Sequence, residues 1–235
     1  MEDLSDNERE EQLRRWWGEN WLWIVGGIAL GLGLLGGWQY WQKSRLQSAE
    51  RDEAGYLAVL DSLSKNQQDA AIKKADELRG LNPKSPYADQ SDLALARALV
   101  DARKFDAAAK RLRAVADGSR DPELRLVAKS RLARVLAEQG KYDEALALLG
   151  VNDAGAFAPL FHELRGDVLA ARGDATGAKQ AYDAALAASG EPGEGSAIDT
   201  QHVELKRDAL GVTGQAAAAS DAEPATAAPA AGAKP

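Results

Sequence analysis

Two patterns of hydrophobic positions divide the chain near residue 43. No charged residue stands between Glu19 and Lys43, and apolar residues and glycines predominate there. A helix of these residues, about 23 at about 1.5 Å each, spans the roughly 30 Å hydrocarbon core of a bilayer. After Lys43, apolar residues recur with helical spacing among many charged ones. The pattern predicts a transmembrane helix over residues 21–42 and a helical domain over residues 43–211.

Tryptophan residues mark both ends of the apolar segment. All six lie between residues 16 and 41, four before the apolar run Ile24–Gly37 and two after it. Indole rings prefer the headgroup level of a bilayer, so the arrangement is typical of a membrane span. A cleaved signal peptide is the alternative, but residues 1–20 are acidic overall and no small-x-small cleavage site follows. We therefore expect an uncleaved anchor.

The anchor is rich in glycine at helical spacing. Gly27 and Gly31 form one G-x-x-x-G motif, Gly33 and Gly37 form another, and Gly26 shares a face with Gly33 and Gly37. Small residues at this spacing allow a second membrane helix to approach closely. Transmembrane helices also tolerate glycine without such a role. The glycine face is a candidate partner-binding surface, and both interpretations stay open from sequence.

The orientation of the anchor does not follow from its flanking charges. Three basic residues lie on each side of it: Arg9, Arg14 and Arg15 before, and Lys43, Arg45 and Arg51 after. The positive-inside rule therefore favours neither orientation, because the number of basic residues is equal on the two sides. A long domain after the anchor can be translocated largely regardless of its charge. A cytoplasmic N-terminus is permitted by the sequence and not demonstrated by it.

The domain after the anchor is built from internal repeats. Residues 132–145 match residues 165–178 at an offset of 33. Residues 95–108 match residues 132–145 at an offset of 37. A weaker copy ends at Ala71. Each unit reads as two short helices joined by a turn, and the pattern resembles the tetratricopeptide repeat. The expected fold is all-α: one N-terminal transmembrane helix, then a tetratricopeptide-like α-solenoid of about four degenerate helical hairpins.

Small and large apolar residues alternate at fixed points of these units. An alanine opens the second helix of each later unit, where close packing against the first helix is expected. Arg165 departs from the pattern because leucine stands at the matching points, and Leu164 is expected to replace it. The predicted inner face of the first helices is Leu95, Ala96, Leu99, Leu132, Ala133, Leu136, Gly166 and Leu169.

The C-terminal part of the chain changes composition. Residues 200–210 read as a closing helix that ends at Gly211 and covers the last repeat. Residues 212–235 are mainly alanine and proline, without a periodic apolar face. Such a segment cannot bury enough apolar surface to offset its ordering entropy, so we expect it to be disordered.

Catalytic chemistry is not indicated. The chain has no cysteine and two histidines, and neither histidine is paired with a carboxylate in a recognisable motif. Residues 190–195 are glycine-rich but lack the lysine of a phosphate-binding loop. We expect no metal, cofactor, catalytic residue or small-molecule substrate. The net charge of −7 also argues against nucleic acid as a partner.

Binding remains as the expected activity of the repeats. The first helices of such arrays line a concave side, and alignment of the units places Leu93, Arg97, Val100, Arg134 and Leu160 there. Arg97 and Arg134 recur at equivalent points, where guanidinium groups can hold a carboxylate or backbone carbonyls. The alternative is that these arginines are simply solvated, as most charges on helix faces are.

Several motifs together resemble one family. Residues 16–20 read Trp-Trp-Gly-Glu-Asn, residues 37–41 read Gly-Trp-Gln-Tyr-Trp, and the repeats contain Leu-Ala-Arg-Val at 132–135 and Leu-Arg-Gly-Asp at 164–167. These features are similar to the YfgM family, the ancillary subunits of the SecYEG translocon in bacterial inner membranes. The resemblance covers residues 1 to about 211 and excludes the Ala/Pro-rich end.

The resemblance implies a role and a location. It implies an acidic cytoplasmic segment over residues 1–20, a single pass through inner-membrane lipid, and a periplasmic repeat domain over 43–211. Implied partners are SecYEG, a PpiD-like membrane chaperone, and unfolded or nascent exported proteins that are handed to periplasmic chaperones. The alternative is a membrane-anchored repeat scaffold that assembles envelope complexes and never meets nascent chains.

Overall fold

The described part of the chain is helical throughout. The computed structural model describes residues 6–150, 154–189 and 198–220, with side chains for 10–150, 154–189 and 198–210. These residues contain no strand, which confirms the all-α prediction. A 3₁₀ turn, Gly155–Phe157, precedes the seventh helix. The helices are α1 Asp6–Ser64, α2 Gln68–Leu81, α3 Pro86–Asp101, α4 Phe105–Gly118, α5 Pro122–Glu138, α6 Tyr142–Leu148, α7 Ala158–Arg172, α8 Ala175–Ala188 and α9 Thr200–Ser220.

The chain divides into two compact units, Met1–Ala54 and Gly55–Pro235. In the first unit, the described residues belong to α1, and none between residues 10 and 50 is buried. The segment Glu10–Ser64 is long and apolar enough to cross a membrane. Between residues 25 and 41 its large apolar side chains are exposed, as lipid-facing residues are; Leu34, for example, is 68% exposed.

The second unit is a series of helical hairpins. The end of α1 pairs with α2, α3 with α4, α5 with α6, and α7 with α8, and α9 packs on α8. The second helix of one hairpin packs on the first helix of the next, as α4 does on α5, and α5 also contacts the first helices α3 and α7. Four hairpins and a closing helix therefore form the repeat array that the sequence predicts.

Prolines position the first helix of three hairpins. Pro86 and Pro122 are the first residues of α3 and α5, and Pro159 lies in the first turn of α7. Proline suits this position because its fixed φ is already helical and the first amide hydrogens have no partner within the helix. Asp121 adds an N-cap, since its carboxylate accepts hydrogen bonds from the amides of Glu123 and Leu124.

The alanine near the start of each second helix is completely buried. Ala71, Ala108, Ala145 and Ala178 are all 0% exposed. A methyl side chain lets the two helix backbones approach, and larger residues fill the space between hairpins. Leu164 is buried and Arg165 is exposed, as expected for the irregular fourth unit. These core predictions are confirmed.

The turns between paired helices share one backbone conformation. Asn66, Arg103, Gly140 and Gly173 all have positive φ, from 57° to 92°. They occupy equivalent positions, at offsets of 37, 37 and 33 residues. Glycine adopts this left-handed region without a steric penalty, whereas Arg103 adopts it at a cost. The sequence shows glycine in only the last two units, so the common turn becomes visible only in the structure.

The last helix is longer than the sequence predicts. Gly211 does not end α9, which continues to Ser220 and so enters the segment 212–235 that was expected to be disordered. The reason is local: residues 216–219 are four alanines, and alanine has the highest helix propensity. Residues 221–235 and the glycine-rich segment 190–195 lie outside the described residues.

Candidate functional site

A continuous groove follows the first helices of the repeat unit. It consists of three adjoining pockets, one between the end of α1 and α3, one between α3 and α5, and one between α5 and α7. Arg97 and Arg131 line both the first and the second pocket, and Arg134 lines both the second and the third. The shared side chains make these pockets one surface, which we call the groove.

The central pocket has an apolar floor. Ala96, Leu112 and Val135 form this floor and are at most 5% exposed. Val100 is partly buried at its side. The cavity has a volume of about 260 Å³, below the roughly 300–1,000 Å³ of pockets that enclose small molecules. It therefore suits a single side chain better than a cofactor.

Three arginines form the rim of the central pocket. Arg97, Arg131 and Arg134 are exposed. Arg97 and Arg134 meet because they occupy the same position in successive repeats, and Arg131 lies one helical turn before Arg134 on the same face. In the part of the chain that the structure describes, none of the three forms an ion pair, and no carboxylate lines this pocket.

Acidic residues appear only in the outer pockets of the groove. Asp101 lines the first pocket, with apolar residues such as Leu60 and Leu63. Glu138 and Asp167 line the third, with apolar residues such as Val168. The groove is thus mixed in character at its ends and purely basic and apolar at its centre.

The predicted groove residues do not all lie in the groove. Leu93 lines the first pocket, Arg97 the first two, Val100 the second, and Arg134 the second and third. Leu160 lines none of these pockets and packs instead against two clusters of buried apolar residues. Whether any of these residues binds a partner stays a prediction.

Arg131 is the groove residue that the sequence analysis missed. It lies just before the aligned repeat segment 132–145. Its position one helical turn before Arg134 is the feature of the sequence that could have placed it on the same face. Its role depends on the neighbouring hairpin, because the pocket exists only where α3 and α5 meet.

The glycine face of α1 is open in the structure. A Cβ atom added to Gly26, Gly27, Gly31, Gly33 or Gly37 would meet nothing within 4 Å. These positions are therefore free to accept a second helix. Their binding role stays a prediction.

A buried ion network joins α2, α3 and α4. The Asp92 carboxylate, 2% exposed, lies 2.6 Å from Arg79 and 3.2 Å from Arg111. Asp89 accepts a hydrogen bond from Arg79 at 2.9 Å, and Asp76 pairs with Arg111. Burial raises the pKa of Asp92, and the two guanidinium groups oppose that rise. The network is satisfied internally, so it stabilises the fold and is not a ligand site.

A second network fastens the closing helix α9. The Lys206 ammonium lies 2.8 Å from both Glu163 and Asp167 on α7. The hydroxyl of Tyr182 donates a hydrogen bond to the same Asp167 at 2.9 Å. Burial opposes the charged form of Lys206, but the hydrogen bonds and charges of its two carboxylate partners outweigh it and raise its pKa. Burial is the main cause that raises the pKa of Tyr182, and the hydrogen bond to Asp167 raises it further.

The described residues offer no arrangement for metal chemistry. No group of three or more His, Cys, Asp or Glu side chains among them is placed to hold a metal ion. His162 is partly buried on α7 and His202 is exposed on α9. The features with binding potential are the groove and the glycine face of α1.

Comparison with solved structures supports the fold. A putative kinesin light chain with TPR-like repeats from Podosopora anserina superposes with a TM-score of 0.51 at 16% identity, over 74% of this chain and 92% of that one. The protein BtubC (BKLC) from P. vanneervenii gives a TM-score of 0.52 at 15% identity, over 80% and 88%. At such low identity these likenesses show the architecture alone.

Comparison by sequence shows the family. The tetratricopeptide repeat-like domain family matches residues 14–212. The ancillary SecYEG translocon subunit of Escherichia coli K12 is 30% identical over 182 residues, which cover 77% of this chain and 87% of that protein. The ancillary SecYEG translocon subunit of Haemophilus influenzae is 29% identical over 209 residues, which cover 88% of this chain and 98% of that protein. The chain therefore belongs to the tetratricopeptide repeat-like family of the ancillary SecYEG translocon subunits, YfgM.

Proposed function

We propose that this chain is a non-enzymatic ancillary subunit of the SecYEG translocon. The observation that carries the proposal is the 30% identity to a protein of that name along 87% of that protein's length. In this role α1 anchors the protein in the bacterial inner membrane, with its N-terminus in the cytoplasm and the repeat unit in the periplasm.

The groove is the surface proposed to receive translocated polypeptides. Its three pockets alternate apolar side chains with charged ones, and so offer many weak contacts to an extended chain. Weak contacts suffice where the anchor keeps the repeat unit beside the channel exit, because the effective concentration of an emerging chain is high there. Fast release then allows hand-off to periplasmic chaperones, including a PpiD-like membrane chaperone.

The glycine face is the surface proposed to place the anchor beside a membrane partner. The open positions at Gly33 and Gly37 accept a close helix, where van der Waals and Cα–H···O contacts replace the hydrophobic effect that is absent in lipid. Changing both glycines to leucine should reduce co-purification with SecYEG. Leu32→Ala, which changes an exposed residue and leaves the glycines intact, is the matched control. Equal recovery of the channel with all three proteins would contradict this part of the proposal.

Photo-crosslinking in living cells tests the proposal as a whole. One probe replaces Leu34 in the anchor, one replaces Ala137 in the groove, and a control probe replaces Lys179, exposed on α8 outside the groove. We expect Leu34 to capture a channel or chaperone anchor and Ala137 to capture many exported proteins. Lys179 should capture few. One resident envelope protein captured from Ala137, with no exported chains, would instead identify a scaffold.

A further inference from the structure

We propose that the central pocket of the groove selects acidic–aliphatic segments of the bound polypeptide. In these segments a carboxylate lies within two residues of an aliphatic side chain. The inference names the class of chain that the groove prefers, and it rests on the proposed function that the groove binds translocated polypeptides.

The apolar part of the preference follows from the pocket floor. Ala96, Leu112 and Val135 present only carbon atoms of their side chains to the cavity, and Val100 adds another aliphatic wall. A cavity of about 260 Å³ accepts one aliphatic side chain. Burial of such a side chain is favourable because it removes apolar surface from water.

The acidic part of the preference follows from the rim. Arg79 and Arg111, elsewhere in the same unit, are already matched by buried carboxylates. The three rim arginines have no such partner among the described residues, and each can donate two parallel hydrogen bonds to one carboxylate. Since none of the described acidic side chains lines the central pocket, a bound carboxylate is attracted by the rim there. A bound lysine meets three like charges.

The position of the pocket favours a polypeptide as the occupant. The pocket is the middle of three that follow each other across four hairpins. An extended chain rises about 3.3 Å per residue and places every second side chain on one face. It can therefore put an aliphatic group into the floor and a carboxylate two residues away against the rim, while its flanks lie in the outer pockets. An anionic lipid headgroup would use the central pocket alone.

Binding of matched fluorescent peptides to the full chain in detergent micelles tests the proposal. The reference peptide carries an aspartate with a leucine two residues before and two residues after it. Two further peptides replace the aspartate with asparagine or lysine, and a fourth replaces both leucines with serine. We expect each replacement to weaken binding, about tenfold for asparagine, which corresponds to about 1.4 kcal/mol, and more for lysine.

Variants of the rim make the test specific. The triple variant Arg97→Gln, Arg131→Gln, Arg134→Gln should bind the aspartate and asparagine peptides equally. The charge reversal Arg97→Glu, Arg134→Glu should prefer the lysine peptide. Arg172→Gln is the control, because Arg172 is exposed and pairs with Asp143 outside the groove. Helix content measured by circular dichroism verifies that each variant is folded, and the changed positions are exposed.

The outcomes separate this inference from the proposed function. Equal binding of all leucine-containing peptides to the unaltered chain overturns the selectivity and leaves the polypeptide-binding function standing. No binding of any peptide, with no exported proteins captured from Ala137, overturns both. Displacement of the aspartate peptide by micelles containing phosphatidylglycerol, together with loss of lipid binding in the rim variants, would reassign the pocket to a lipid headgroup.

Discussion

Replacing Gly166 with alanine should destabilise the last hairpin, although alanine is the better helix former. Gly166 is buried in α7, opposite Tyr182 of α8. A Cβ at this position would lie 2.5 Å from Cδ1 and 2.9 Å from Cζ of the tyrosine ring. Favourable carbon–carbon contacts lie at about 3.5–4.0 Å, so the ring or the helix has to move.

The tyrosine ring has little freedom to move. Tyr182 is 3% exposed, and its hydroxyl is held by Asp167, which also binds Lys206 of α9. Overpacking a well-filled core costs about 1–3 kcal/mol, and the fixed ring places this site in the upper half of that range. Exchange of glycine for alanine inside a helix contributes about 1 kcal/mol in the opposite direction. The expected net loss is about 1–2 kcal/mol.

Gly80 provides the matched control. It lies exposed in α2, and a Cβ there would meet nothing within 4 Å. Gly80→Ala should therefore gain up to about 1 kcal/mol, because only the helix propensity changes. Removing the tyrosine ring tests the cause at the site itself: in a Tyr182→Ala background, Gly166→Ala should no longer destabilise the protein.

The assay has to report on the repeats and not on the anchor. All six tryptophans lie between residues 16 and 41, so tryptophan fluorescence follows the anchor. Urea unfolding of the full chain in detergent, followed by circular dichroism at 222 nm, measures the repeat unit. Hydrogen exchange of α7 and α8 peptides localises the change. If Gly166→Ala gains as much stability as Gly80→Ala, the packing argument is wrong.

Three further results are expected. Arg103→Gly should raise the urea midpoint, because Arg103 has a φ of 57° and a non-glycine residue in this region costs about 1–2 kcal/mol; an unchanged or lower midpoint would contradict the strain. Asp92→Asn should lower stability by about 1–3 kcal/mol, because it removes the carboxylate that Arg79 and Arg111 share, although each keeps one other carboxylate partner; Asp61→Asn, in an exposed pair, should have little effect on the same curve. The raised pKa of Lys206 means that its ion pairs stabilise the fold below its ordinary pKa of about 10.4 and are lost as pH rises through the higher folded value. Ionisation of Tyr182, whose pKa is also raised, disfavours the fold in the same direction above pH about 10. Hydrogen exchange in α9 should therefore accelerate above pH about 10 in the unaltered chain and lose part of that pH dependence in Lys206→Met.

Local patterns in the sequence predict most of the fold. Helical periodicity, helix-starting prolines and the recurrence of small alanines are properties of short segments. They are sufficient to place the hairpins, the apolar segment of α1 and the buried alanines, such as Ala108 and Ala145. The predicted end of α9 at Gly211 is wrong because the alanine-rich residues that follow continue the helix to Ser220.

The candidate site is only partly predictable in this way. Arg97 and Arg134 follow from repeat alignment, because equivalent residues of stacked repeats lie side by side. Arg131 and the floor residue Leu112 do not, since their place in the pocket depends on how α4 and α5 pack. Repeat alignment also predicts Leu160 in the groove, but its side chain packs against the buried apolar clusters instead.

The sequence by itself determined the class of the protein: one apolar helix long enough to cross a membrane, four repeats and no recognisable catalytic motif. Helix formation and amphipathic patterning are set by residues within a few turns of each other. Only the tertiary structure decided which charges are matched. Lys206 meets Asp167 across 39 residues and Arg79 meets Asp92 across 13, whereas the three rim arginines form no ion pair with the residues that the structure describes. Pairing of charges depends on distances of about 3 Å between separate helices, and sequence spacing does not fix those distances.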